Sequence, residues 1–157
     1  MKLLSKKSQK GFTLIELLVV IGILAVLLSI VLIAINPARQ FSLANNTQRR
    51  SDVSAVLNAI YQYAADNKGK LPDGTPAAGS SAPISSATGG TGAAFCNALV
   101  PLYIAALPVD PLNGSFTDCT TYDTKYTASA SAGGTGGTSR VTISATGELQ
   151  AVISVTR

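Results

Sequence analysis

From Phe12 to Ile35 the chain is almost wholly apolar, with Glu16 as the single charge in the stretch. About 20 consecutive apolar residues suffice for an α-helix to cross a bilayer, so this segment predicts a transmembrane helix. Asn36-Pro37 comes directly after it. The pair suits either a fresh helix start, with Asn as N-cap and Pro at the first helical position, or a kink in one continuous helix. From Arg50 the pattern turns amphipathic: Val53, Val56, Leu57, Ile60 and Ala64 fall at steps of three and four, with Ser54, Asn58, Gln62 and Asp66 elsewhere, which is one buried helical stripe. Lys68, Gly69 and Pro72 supply the stop.

Beyond that helix the pattern weakens. Residues 73–94 are rich in Gly, Ser, Thr, Ala and Pro and read as a flexible loop, Gly89-Gly90-Thr91-Gly92 included, since no Lys follows it and no strand precedes it as a phosphate cradle would require. Ala94 to Leu107 predicts a short helix ended by Pro108, and Pro111 with Asn113-Gly114 marks turns. In the last third, Lys125–Ser129, Arg140–Ala145 and Leu149–Thr156 are rich in Val, Ile, Thr and Tyr. They predict an antiparallel sheet of three or four strands, with Thr146-Gly147 as the final turn and residues 133–137 as the loop before that hairpin.

At 157 residues the chain holds one globular domain plus an added element. The expected fold is α+β: a long N-terminal α-helix, half transmembrane and half amphipathic, whose outer half packs on a small antiparallel sheet in a ladle-shaped subunit. The expected segments are a transmembrane helix at 12–35, the amphipathic half of the helix at 36–69 and a globular head at 70–157.

The formal net charge of +4 changes meaning once it is located. Lys2, Lys6, Lys7 and Lys10 account for it, because twelve basic residues less these four leaves eight against eight acidic ones. Clustered Lys or Arg on one face is what phosphate binding needs, and beyond residue 11 only Arg49 and Arg50 are adjacent, so no direct nucleic acid binding is expected. The four lysines keep the N-terminus cytoplasmic under the positive-inside bias and send Asn36 and the residues after it outward. Arg49 and Arg50 read as a solvated helix face, with salt bridges to neighbouring subunits as the functional alternative.

The chemistry is concentrated at one place. Gly11 has no side chain, so a peptidase at the membrane surface can hold its backbone extended, and a cut after it leaves the whole apolar helix on the mature protein. Glu16 lies four residues after the N-terminus so created, one turn along the same helix face. A carboxylate in a span costs ~2.5 to 3.5 kcal/mol at the helix centre and less near the interface, so Glu16 needs a partner. The expected one is the amine that cleavage exposes on Phe12 of a neighbouring subunit, a pairing that favours assembly and fixes its axial register. The bland alternative is a single-pass anchor with an incidental interfacial acid.

The run Lys10-Gly11-Phe12-Thr13-Leu14-Ile15-Glu16-Leu17-Leu18-Val19-Val20-Ile21 closely resembles the N-terminal signature of type IV prepilins and of the pseudopilins of type II secretion. The resemblance is strong over residues 6–35 and looser from Asn36 to Pro72. It implies a pilin-like fold, a leader at 1–11, cleavage between Gly11 and Phe12 by a prepilin peptidase, N-methylation of Phe12 and a role for Glu16 in assembly. It also implies the partners: other copies of the chain in a helical filament, the peptidase, an assembly platform protein and a cytoplasmic ATPase. The precursor would be a single-pass protein of the cytoplasmic membrane and the product an extracellular pilus. Pro37 stands later than the proline of many pilins, and Gly22 and Ser29 are further candidate soft points in the helix, or else small residues permitting close packing. Leu107-Pro108-Val109-Asp110-Pro111, with Asn113-Gly114 and tyrosines 122 and 126, is similar to a loop of major pseudopilins that can hold calcium. A proline-rich turn is the favoured reading, because hard cations take six to eight oxygens and only Asp110, Asn113, Asp118 and Asp123 are near in sequence.

Cys96 and Cys119 are the two cysteines, both on the outward side, so a disulfide between them is the leading reading and two buried thiols the alternative. In pilins a disulfide often brackets the C-terminal region, whereas the final hairpin here lies outside the pair. With no His in the chain, neither a Ser-His or Cys-His nucleophile nor an imidazole metal site can be built, and loop carboxylates such as Asp118 and Asp123 are ordinarily solvated. The expectation is a non-enzyme with no cofactor and no metal. The readings in competition are a pilin for adhesion, motility or DNA uptake, a major pseudopilin, a minor tip subunit, and a membrane-anchored ligand-binding module.

Overall fold

A computed structural model describes residues 11–131, 140–149 and 151–157. The four N-terminal lysines and the 133–137 loop lie outside them. The elements in chain order are α1 (Leu14–Ile35), α2 (Pro37–Asp66), β1 (Ser81–Ser85), α3 (Gly92–Leu99), β2 (Ser115–Asp118), β3 (Thr121–Ser131), β4 (Arg140–Thr146) and β5 (Val152–Thr156). They divide into two units, one ending at Gln40 and the other starting at Phe41.

In the first unit, α1 runs 22 residues with no buried side chain. At 1.5 Å per residue that is about 33 Å, enough for the ~30 Å hydrocarbon layer of a bilayer. Asn36 decides between the two readings of Asn36-Pro37. It leaves helical geometry (φ 46, ψ 79) as the C-cap of α1, and its side-chain Oδ1 accepts from the Arg39 amide at 3.3 Å. Pro37 is the first residue of α2, the position where a missing N–H and a fixed φ cost nothing. A new helix therefore starts here.

The second unit is built around the stripe read from the sequence. Val53, Val56, Leu57, Ile60 and Ala64 are all buried, and the first four form one core with Ile84, Phe95, Leu99, Tyr126, Val141, Ile143 and Ile153. Gly69 closes α2 with φ 83 and donates its amide to the Ala64 carbonyl at 2.7 Å, a left-handed cap that favours glycine. The sheet is antiparallel in the order β1-β3-β4-β5, with β2 also pairing β3. Along β3 and β4, burial alternates residue by residue: Tyr122, Thr124, Tyr126, Ala128, Val141 and Ile143 face the core. The other face is hydroxyl-bearing, with Ser129, Thr142 and Thr156 in one cross-strand row and Thr127, Ser144 and Ser154 in the next.

The α+β class and the order of helix before sheet are as expected. Three local expectations are corrected. The 73–94 segment contains β1 and the first three residues of α3 and is not a plain loop; β1 is held by pairing with β3 (Ser81 with Ser129, Pro83 with Thr127), a long-range partnership its own composition does not announce. The sheet has five strands, and β5 begins at Val152 because Leu149 sits in a turn with φ 57. The helix expected over 94–107 is α3, ended eight residues sooner at Leu99, ahead of Pro101.

Cys96 of α3 and Cys119, between β2 and β3, form a disulfide with Cα atoms 5.3 Å apart and a sequence separation of 23. A loop of that length restrains the unfolded chain by ~3 kcal/mol. Reduction should therefore lower the unfolding free energy by about 3 kcal/mol, read from the denaturant midpoint with and without dithiothreitol. Equal midpoints would contradict this.

Candidate processing and assembly site

At the head of α1, Gly11 to Thr13 are outside the helix and exposed, so the Gly11–Phe12 bond is presented as non-helical chain. Thr13 ends that stretch as N-cap in extended conformation (φ -81, ψ 153). Its hydroxyl oxygen accepts from the Glu16 amide at 3.3 Å. In return Oε2 of Glu16 accepts from the Thr13 amide and from the Thr13 hydroxyl, each at 2.7 Å. This is a reciprocal capping box, in which two amides otherwise left over at a helix start are satisfied.

Glu16 therefore already has partners on its own helix, in addition to the amine expected from a neighbouring subunit. The structural cause is local: Thr13 three residues earlier supplies two donors. Both bonds fall on Oε2, and Oε1 has no partner among the described residues. Thr13 is the residue that sequence reasoning missed, and its signal was the Thr-x-x-Glu spacing that opens the apolar run. Phe12 is exposed beside it. Further along α1, the Ser29 hydroxyl donates to the Ala25 carbonyl at 2.8 Å, so it needs no partner from outside its own helix, and Gly22 has open space around it.

A second cluster lies in the head. Arg49 is 3% exposed, against the reading of Arg49 as a solvated residue. Its Nε donates to Asp110 Oδ2 at 2.5 Å, and its Nη1 donates to Asn46 Oδ1 and Glu148 Oε1, each at 3.0 Å. Asp110 Oδ1 accepts from the amides of Leu112 and Asn113 at 3.0 and 3.1 Å. Asn46 closes the ring with its Nδ2 on the Glu148 carbonyl and its Oδ1 on the Glu148 amide, both at 2.8 Å. One guanidinium thus pins α2, the 108–114 loop and the β4–β5 turn together. A buried cation needs this many acceptors, since desolvation alone would cost several kcal/mol. Arg50 is exposed.

The same contacts bear on the 107–114 loop. Asp110 is committed to Arg49 and two amides, Asp118 accepts from Thr120 and Thr121, and Asp123 pairs with Lys125 at 2.6 Å. Among the described residues no group of three or more His, Cys, Asp or Glu side chains could hold a metal ion.

Burial works to raise the Asp110 carboxyl, but the hydrogen bonds from Arg49, Leu112 and Asn113 and the charge of Arg49 outweigh it and leave its pKa lowered. Bonds from Ser42, Asn45 and Arg49 lower that of Glu148. Asp52 moves the other way, raised by burial against a bond from Tyr126. A carboxyl lowered in the folded state contributes stability above its unfolded pKa and loses it as pH falls through the folded value. The head should hold its stability down to about pH 5 and lose it steadily below about pH 4, as the two lowered carboxyls are protonated against Arg49. Denaturant midpoints measured from pH 7 to pH 2 check this, and a midpoint that rises on acidification would contradict it.

The family model of the prokaryotic N-terminal methylation motif matches residues 6–32, which takes in Gly11, Phe12, Thr13, Glu16 and most of α1. Among curated proteins and among solved structures, nothing matches the chain.

Proposed function

We propose, from the premise that this chain carries the type IV prepilin signature at residues 6–32, that it is the precursor of a structural subunit of a type IV pilus-like filament. A prepilin peptidase cuts between Gly11 and Phe12, the new N-terminus is methylated, and the mature chain polymerises through α1 into an extracellular fibre. The observation that carries this reading is the coincidence of the methylation motif with a single acid one turn into an exposed apolar helix.

Each step has its residues. Removing the leader takes away the four lysines that tie the N-terminus to the cytoplasmic face. It also creates an ammonium group on Phe12. In lipid, apolar helices gain little by meeting other apolar helices, so packing and polar contacts must supply the specificity. Glu16 Oε1 is available to a neighbour's Phe12 amine while Oε2 stays on Thr13, and a charge-assisted bond of this kind is worth most where water is scarce. An assembly platform and an ATPase supply the work of moving subunits out of the membrane. The cysteine pair belongs to the head, on the oxidising side of that membrane, and serves its stability.

The pseudopilin of a type II secretion system has the same signature and remains the rival reading. Calcium dependence of the protein would favour that rival, and long filaments on cells the reading proposed here. The membrane-anchored binding module would be a monomer with Glu16 dispensable. Mass spectrometry of the protein purified from cells tests the proposal: the expected N-terminus is methylated Phe12. A working form that keeps Met1 overturns it.

A further inference from the structure

Among the described residues of the second unit, large apolar side chains are exposed at Phe41, Leu43, Leu102, Leu112, Leu149 and Val152. All but Leu102 lie on the segments that the Arg49 cluster ties together: the start of α2, the 108–114 loop, and the β4–β5 turn as it enters β5. Glu148 fastens that turn directly to the helix start, accepting from Ser42 and, at 2.8 Å, from Asn45. Exposed apolar residues scattered singly need no explanation, whereas a gathering of them marks a contact.

Leu149 is a second, independent sign. It sits in the turn with φ 57, in the left-handed region that Gly, Asn or Asp occupies at little cost and leucine does not. Its side chain is 57% exposed, so packing in the head does not offset the strain. A residue both strained and apolar is held at this place for something outside the head.

We infer that this patch is a lipid-contact surface: in the unassembled precursor Phe41, Leu112 and Leu149 dip into the outer headgroup layer of the bilayer that α1 crosses. Chain length selects this occupant. α1 ends at Ile35, and Phe41 is the fifth residue of α2, about 6 Å along that helix from Pro37. The polar layer on each side of the hydrocarbon is itself about 5–8 Å deep, so the span brings Phe41 within reach of it. The Glu148 and Arg49 contacts then fix the turn and the loop beside the same stretch of helix. A patch of this size would hold a free protein on lipid only weakly, but a covalent link to the span makes the contact intramolecular. Charge agrees with lipid phosphates as neighbours. Asp110 is buried and Glu148 is bound by Arg49, while Arg39 and Arg50 are exposed on α2, so phosphates meet cations there. The inference rests on the membrane-anchored precursor and not on polymerisation.

Single cysteines carrying an environment-sensitive fluorophore test this in the full-length protein, reconstituted at high dilution into vesicles of phosphatidylethanolamine and phosphatidylglycerol. Nitroxides are placed in the lipid either near the headgroups or deep in the acyl chains. Leu24→Cys in α1 and Leu102→Cys set the inserted and the aqueous limits. Labels at Leu112→Cys and Leu149→Cys are expected to shift to the blue and to lose emission to the headgroup nitroxides, and the label at Leu102→Cys to do neither. Leu149→Gly removes the side chain and relieves the left-handed strain, so it should weaken quenching at Leu112→Cys with the thermal midpoint kept or raised. A lowered midpoint with that quenching intact would make Leu149 a packing residue and overturn the proposal. Should the glycine variant fail to fold, the label pattern alone decides. Quenching at position 24 without quenching at 112 and 149 overturns the lipid contact and leaves the anchored precursor standing, whereas no quenching at 24 overturns both. Signals at 112 and 149 that appear only when the protein is crowded in the vesicle assign the patch to a second copy and overturn the proposal as well.

Discussion

Arg49→Met should lower the unfolding free energy of the head by about 3–5 kcal/mol, the cost of stranding a buried charge when its partner is removed. The geometry sets the size. Asp110 is buried and keeps two amide bonds, but its charge would lose the only cation within reach among the described residues. Asn46 and Glu148 would lose donors in the same step. The double variant Arg49→Met with Asp110→Leu should recover much of the loss, because replacing a whole buried pair with apolar groups is close to neutral. Chemical denaturation of the two variants and the parent decides it. A single variant within about 0.5 kcal/mol of the parent, the range of ordinary surface changes, would show that the guanidinium is not what holds the three segments together.

Glu16→Gln should leave leader cleavage and methylation intact and abolish filaments. The amide oxygen of Gln can still accept from Thr13, so the helix start is retained and only the charge disappears. A charge-assisted bond contributes ~1.5–3 kcal/mol, which corresponds to a loss of about 10- to 150-fold in affinity for every subunit added. Repeated at each step of a polymer, that is the difference between fibres and a membrane pool. Sheared-fraction immunoblots report the polymer, and mass spectrometry of the N-terminus reports processing. Normal filament yield from Glu16→Gln would remove the charge from the account, and normal yield from Glu16→Ala would remove the side chain altogether.

The legible parts of the chain were those with a strong period. The apolar run at 12–35 and the stripe from Val53 to Ala64 need no tertiary context, since one is uniform and the other repeats every three to four residues. The strands of the last third were placed to within a few residues because alternation and β-branched side chains coincide there. β1 was missed because Ser-Ala-Pro-Ile-Ser has one large apolar residue and a proline; what makes it a strand is β3, some forty positions on in sequence. Arg49 was misread for a different reason. The stripe was begun at Val53, yet Asn46 and Arg49 continue it backward at the same spacing, and a polar residue on a buried stripe is itself a sign of a partner. Its acids, Asp110 and Glu148, are 61 and 99 positions away, a separation no local pattern reveals. The Thr13 cap was available from four letters of sequence.

Two rows of Ser and Thr hydroxyls cover the middle of the outward sheet face. Hydroxyls at this density bind water firmly but carry nothing that titrates or that ions can screen. The wetting of these two rows should be the same in acid as in alkali, and in fresh water as in brine, while Asp123, Lys125 and Arg140 toward the ends of the same face change their hydration. Such a patch would keep one constant hydration through changes of medium that alter the charged surface around it.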